Sequence, residues 1–190
     1  MSSSLLDVVN ASDHDLLSAH GAGHPEAFAE LFRRHQDRMW AVALRTTGDR
    51  EMAADAVQEA FLSAFRKAGS FRGDSQVTTW LHRIVINTCL DRLRRIRPTT
   101  DLDDVPVTLL AESGRYTESV DTALMVQAAL RTLPDGQRAA LVLVDMHGLS
   151  VAEAAHILDV AEGTVKSRCA RGRTALSAVL SASSPDRNSS

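Results

Sequence analysis

Residues Gly148–Arg173 read GLSVAEAAHILDVAEGTVKSRCARGR. The stretch opens apolar and closes on Lys166, Arg168, Arg171 and Arg173, in a chain whose formal net charge is −3. Ser150 and Glu153 have the spacing of a capping box, in which side chain and backbone satisfy each other's orphan donors at a helix start. A short apolar helix should run over Ser150–Leu158, a tight turn over Asp159–Gly163, and a longer basic helix over Thr164–Leu180. At 100° per residue, Val165, Cys169, Gly172 and Leu176 form one narrow stripe. Ser167, Ala170, Arg171 and Thr174 point the other way, with Lys166, Arg168 and Arg173 on the flanks. Short helix, turn and longer basic helix make a helix-turn-helix pattern, whose second helix enters the DNA major groove. The positive charge is local because a docking helix needs one positive face and the rest of the chain does not. A solvated basic face on an ordinary bundle helix is the competing reading.

Upstream, Asp135–His147 and Ser119–Leu133 read as two further helices, stopped by Gly148 and Pro134. Before them, Pro98–Ser119 carries Asp101, Asp103, Asp104, Glu112 and Glu118 against Arg115 alone, with two prolines and no helical period. That composition reads as an acidic linker. The N-terminal half repeats the helical period three times. Phe28, Leu31, Phe32, Met39, Val42 and Ala43 line one face within Pro25–Thr47, and Gly48 sits at a C-cap position. Ala53, Ala56, Val57, Ala60, Phe61 and Ala64 line another within Arg50–Lys67. A loop, GSFRGDSQ, precedes a third pattern from Val77 to about Arg95. No useful strand alternation occurs. The expected fold is all-α: a loose N-terminus at 1–10, a helical domain at 11–97, a flexible linker at 98–119, a second helical domain at 120–182, and a disordered tail at 183–190.

Composition removes other classes. No apolar run approaches the roughly 20 residues of a membrane span, and MSSSLLDVVN lacks the regions of a secretory signal. Cys89 and Cys169 form no CxxC and read as free thiols of a reducing cytoplasm. Cys169, in the packing stripe, reads as a buried small hydrophobe. His20 and His24 are separated by helix-breaking Gly21 and Gly23. No nucleophile triad, phosphate loop or metal cluster is visible, so no enzyme, cofactor, metal or small-molecule substrate is expected.

The segment LPDGQRAALVLVDMHGLSVAEAAHILDVAEGTVKSRCARGRTAL resembles the minus-thirty-five-reading domain of bacterial sigma factors. GDREMAADAVQEAFLSAF and FRGDSQVTTWLHRIVINTCLDRLRR resemble their second conserved region. Two such domains around a variable linker resemble the extracytoplasmic-function (ECF, group IV) branch of the sigma-70 family. Asp159 stands where that turn usually has Gly.

The resemblance implies a factor that binds core RNA polymerase, reads the −35 and −10 promoter elements and promotes opening of promoter DNA. It implies that Glu51, Asp55, Gln58, Glu59 and Leu62 dock the β′ clamp helices, and that the second domain meets the β flap. The alternative for that acidic face is a solubilising surface. It implies −10 contacts from Phe71, Arg72, Gly73, Asp74, Ser75 and Asn87, with Arg83, Arg92, Arg94 and Arg95 holding phosphates. Trp80 fits the core or the pocket, and Asn87 a base edge or a satisfied buried amide. In the recognition helix, Lys166, Ser167, Ala170 and Arg171 match groove-facing positions. Arg171 suits bidentate readout of guanine, Lys166 and Arg168 or Arg173 suit phosphate, and Thr164 opens the contact surface. The linker would thread the polymerase's nucleic-acid channels or be a solvated tether. An anti-sigma factor, commonly membrane-bound, is the expected regulator, so the protein would sit at the nucleoid through polymerase or at the membrane through that partner. Two alternatives compete: a response regulator, which needs a βα receiver half, and a ligand-sensing repressor, which binds DNA without polymerase.

Overall fold

The computed structural model describes residues 7–96 and 118–183. Eight α-helices are present among them: α1 Asp13–Gly21, α2 Ala27–Thr47, α3 Arg50–Lys67, α4 Val77–Ile96, α5 Glu118–Arg131, α6 Asp135–Leu141, α7 Val151–Leu158 and α8 Glu162–Ser183. No strand occurs among the described residues. Most of the expected acidic linker (98–117), residues 1–6 and the tail beyond Ser183 lie outside them.

In the N-terminal domain α2, α3 and α4 pack against one another, with α1 on α2. Gly48 closes α2 at φ 73° and donates its N–H to the Leu44 carbonyl. Asp49 then caps α3, its carboxylate accepting from the Met52 N–H at 2.7 Å. Ala53, Ala56, Ala60 and Ala64 are buried along α3. These small side chains, with buried Phe61 beside them, fix α3 in rotation about its own axis.

The N-terminus corrects the sequence reading. Residues 7–10, expected to be loose, form a turn in which the Asp7 carbonyl accepts from the Asn10 and Ala11 N–H groups. The Arg34 guanidinium donates to the carbonyls of Val8 (3.0 Å), Val9 (2.8 Å) and Ala11 (2.8 Å), and to Asp13 (3.0 Å). Arg34 also reaches Glu30 at 2.7 Å. Hydrogen bonds from Arg33 and Arg34 pull the Glu30 carboxyl down to about 2. Helix α1, which the sequence reading did not resolve, follows this turn and is capped by Ser12.

In the C-terminal domain α6 does not run unbroken to His147. Residues Val142–Met146 widen into one π turn, and the His147 N–H reaches the Val142 carbonyl. The capping box is present: Ser150 Oγ accepts from the Glu153 N–H at 3.2 Å, and the Ser150 N–H donates to Glu153 Oε2 at 2.9 Å. The turn between α7 and α8 is shorter than expected, because Glu162 and Gly163 already belong to α8. Asp159 takes the left-handed conformation at φ 53° that ends α7. Aspartate tolerates that region because its short side chain can bond locally.

The two domains are packed together, which the sequence reading did not anticipate. Helix α4 lies on α7, and α2 meets α5, α6 and the π turn. The seam is polar: Gln127 Nε2 donates to the Leu44 carbonyl (2.8 Å), Arg38 Nη2 to the His147 carbonyl (3.3 Å), and Thr79 Oγ1 to Glu153 Oε1 (3.3 Å).

Helix α8 lies on α6 through its small stripe. Val165 and Cys169 are buried, and a Cβ added at Gly172 would stand 2.6 Å from Leu141 Cδ1. Leu141 is itself buried and has little room to withdraw. Gly172→Ala should therefore lower stability by about 1–3 kcal/mol, read as a lower midpoint in denaturant melts.

Candidate polymerase and nucleic-acid interfaces

Helix α8 exposes most of the face that its sequence pattern predicts. Lys166, Ser167, Ala170, Arg171, Arg173 and Thr174 are exposed, opposite the buried stripe, and Thr164 is half-buried beside them. Ser167 Oγ donates to the Thr164 carbonyl at 2.9 Å, tying the exposed hydroxyl to its own helix. Lys166 is only loosely paired with Glu162 at 3.9 Å. Arg173 is not idle: both its Nε and Nη2 reach Asp145, at 2.8 and 2.7 Å, which anchors α8 to the π turn. That carboxylate raises the Arg173 pKa further. Arg168 departs from the expectation of a phosphate grip. Its side chain faces inward, leaving the residue 5% exposed.

Six of the eleven −10 candidates line one cavity of about 590 Å³; Gly73, Asn87, Arg92, Arg94 and Arg95 do not. Phe71, Arg72, Asp74, Ser75, Trp80 and Arg83 line it. Trp80 is half-buried and tilts against Phe71 with ring centroids 5.4 Å apart, so it is both a packing residue and a wall. Gly73 takes φ 78°, a conformation that suits glycine and turns the loop. Asn87 is exposed, which removes the buried-amide alternative, but it is not among the cavity-lining residues. Arg83, Asn87 and Arg94 fall on one side of α4 by helical periodicity. Arg94 is exposed and pairs with Asp91 at 2.9 Å, and Arg95 is exposed one position further on.

Arg92 corrects the sequence reading. It points away from that side and lies against α3, donating to Glu59 Oε2 at 2.8 and 3.0 Å and to Asp55 Oδ2 at 3.2 Å. Its guanidinium is spent on the acidic face of α3 and not on the Asn87 side. On α3 itself, Glu51, Asp55, Gln58, Glu59 and Leu62 are all exposed, opposite the alanine stripe. Leu62 is 50% exposed, and Phe65 and Phe32 extend the apolar surface beside it.

Sequence reasoning missed the far wall of the cavity. Ala152, Glu153 and His156 come from α7, in the other domain. Arg83 Nη1 approaches His156 Nε2 at 3.3 Å, and Thr79 holds Glu153. The Glu153 carboxyl is lowered chiefly by hydrogen bonds from Ser150. Its capping role was legible; its reach across the seam had no local signature.

Residues 31–99 match the family model for Sigma-70 region 2, and residues 123–176 that for Sigma-70 region 4. The chain is 54% identical over 172 residues to the ECF RNA polymerase sigma factor SigM of Mycobacterium tuberculosis, covering 89% of this chain and 85% of that protein. The structure of CnrH in complex with the cytosolic domain of CnrY superposes with a TM-score of 0.67 at 29% identity, over 90% of this chain and 99% of that one. The sigma factor RpoE in complex with the anti-sigma factor NepR from Bartonella quintana gives 0.66 at 29% identity, over 84% and 99%. The chain belongs to the ECF RNA polymerase sigma factors of the sigma-70 family, alternative sigma factors of transcription initiation. The absence of strands from the described N-terminal half leaves no receiver domain there, so the response-regulator alternative falls.

Both cysteines are buried. Burial pushes the Cys89 thiol up to about 12 and raises that of Cys169. Neither supplies thiolate near neutrality. Iodoacetamide at pH 8 should label neither thiol in the native protein and both in denaturant, read by intact mass.

Proposed function

We propose that this chain is a group IV factor that docks core polymerase through the outward face of α3, captures a −10 base at the loop after α3, and reads the −35 element with α8. The observation that carries this is the segregation of faces. Each of the two functional helices buries small residues on one side and presents a chemically distinct surface on the other. Glu51, Asp55, Gln58, Glu59 and Leu62 form an acidic surface with an apolar centre, matched to basic β′ clamp helices. Complementary charge of this kind steers encounter and fixes register. The second domain would meet the β flap.

At the −10 element, Phe71 and Trp80 offer ring surface to an unstacked base and Asp74, Ser75 and the loop backbone offer hydrogen bonds. These offset the few kcal/mol that unstacking costs. Asn87 contacts a base edge, and Arg72, Arg83, Arg94 and Arg95 face phosphates. At the −35 element Arg171 reads guanine, Ser167 and Ala170 lie in the groove, and Lys166 grips phosphate, while Arg173 does so only by giving up its pair with Asp145. The polymerase supplies the chemistry. An anti-sigma factor holds the protein inactive, a reading supported by the likeness to RpoE, a sigma factor seen in complex with the anti-sigma factor NepR. Where that partner is anchored decides between nucleoid and membrane. Among the described residues no helix is long and apolar enough to cross a membrane.

Run-off transcription with core enzyme and a promoter library tests the assignment. Arg171→Ala should relax −35 preference at one position by about 1–3 kcal/mol; a uniform loss across all sequences would make it a phosphate contact instead. Asn87→Ala should weaken −10 preference and promoter opening. Asp55→Arg should weaken holoenzyme formation with an unchanged circular dichroism spectrum. Tight promoter binding by the purified chain alone would favour a ligand-sensing repressor.

A further inference from the structure

The seam between the domains contains a histidine pair that the proposed function does not use. His82, on α4, is 1% exposed, and its ring lies 5.7 Å from that of His147, which follows the π turn. His82 Nδ1 is 2.7 Å from the Thr78 carbonyl and so carries the proton. Its Nε2 is buried with no hydrogen-bond partner among the described residues, and the same holds for His147 Nε2. A second proton on His82 would enter a site with no acceptor waiting for it, and a proton on His147 Nε2 would meet none either.

The surroundings are also cationic. On α2, Arg38 and Arg45 act on His147, and Arg38 and His35 act on His82. His35 is bound to Asp13 at 2.6 Å. Arg38 is held in place by the His147 carbonyl. From α7, the Glu153 carboxylate favours charge on His82. That carboxylate is already engaged by Ser150 and Thr79. At the cavity end of the seam, Arg83 Nη1 lies 3.3 Å from His156 Nε2.

We propose that this seam is a latch, closed while its imidazoles are neutral and opened by their protonation, and that opening swings α7 off the cavity beside the −10 loop. The latch stands on the geometry of the seam; its consequence for promoter capture rests on the −10 assignment above. Glu153 and His156 form one wall of that cavity, so the closed form covers a surface that captured DNA must reach.

The direction follows from linkage. Burial, then the neighbouring cations, lower His147 to about 4 in the closed form and lower His82 as well. Once separated and hydrated, both return toward about 6.5. The open form therefore binds more protons, and acid favours it. The effect is absent well above pH 6.5, grows as pH falls through that value, and levels off below about 4. For a half-buried ring such as His147, the closed-to-open ratio should fall on the order of tenfold between pH 7.5 and 5.

Small-angle scattering of the full chain from pH 7.5 to 5, with circular dichroism in parallel, tests the latch. The radius of gyration should rise as pH falls while helix content holds. In the double variant His82→Phe, His147→Phe it should stay at the compact value. Should that variant misfold, Arg45→Gln serves: with one repelling cation gone, the expansion should be smaller. A wild-type radius that does not change, an expansion equal in the variants, or expansion only with loss of helix would overturn the proposal. Binding of a fluorescent single-stranded −10 oligonucleotide, measured in the same samples, separates the two readings. Expansion without a gain in binding leaves the latch standing and removes the cavity from the −10 site.

Discussion

Close approach between helices through stripes of small side chains is the constraint on which the exposed faces of α3 and α8 depend. Along α3 the contact is made by Ala53, Ala56, Ala60 and Ala64. Along α8 it is made by Val165, Cys169 and Gly172, with Leu141 filling the space a Cβ would need. A helix seated this way has almost no freedom to roll, since any rotation brings a larger side chain into a packed interior. The opposite side is thereby aimed. On α3 it carries Asp55, Glu59 and Leu62; on α8 it carries Lys166, Ser167, Ala170 and Arg171.

Those stripes are readable because helical period and side-chain size are properties of a short window. The same is true of the Ser150–Glu153 cap. What stays hidden is contact over long separation. Arg34 gathers the carbonyls of Val8, Val9 and Ala11, and nothing local in the chain announces that partnership. Charge is equally visible without its direction: Arg92 and Arg168 read as DNA-facing cations, yet one lies against α3 and the other turns inward. Asp159 shows a milder case. It lacks the freedom of glycine and still takes the left-handed conformation that ends α7.

The seam gives several residues a second duty. Glu153 starts α7 and also receives Thr79 from α4. The π turn re-aims the chain after α6, placing Asp145 under Arg173 and His147 against His82. One local widening therefore steadies α8 and completes the interdomain contact.

Arg92 has a consequence for how the acidic face of α3 meets a basic partner. If α3 docks a basic partner as proposed, the arriving cation would find Glu59 and Asp55 already sharing a guanidinium, and docking would be an exchange of counterions and not the filling of a vacancy. Whatever lysine or arginine took those carboxylates would turn Arg92 loose. The C-terminal half of α4 would then gain an uncompensated cation on the side that faces α3, and the docked protein would show nucleic acid a stronger net positive field than the solitary one.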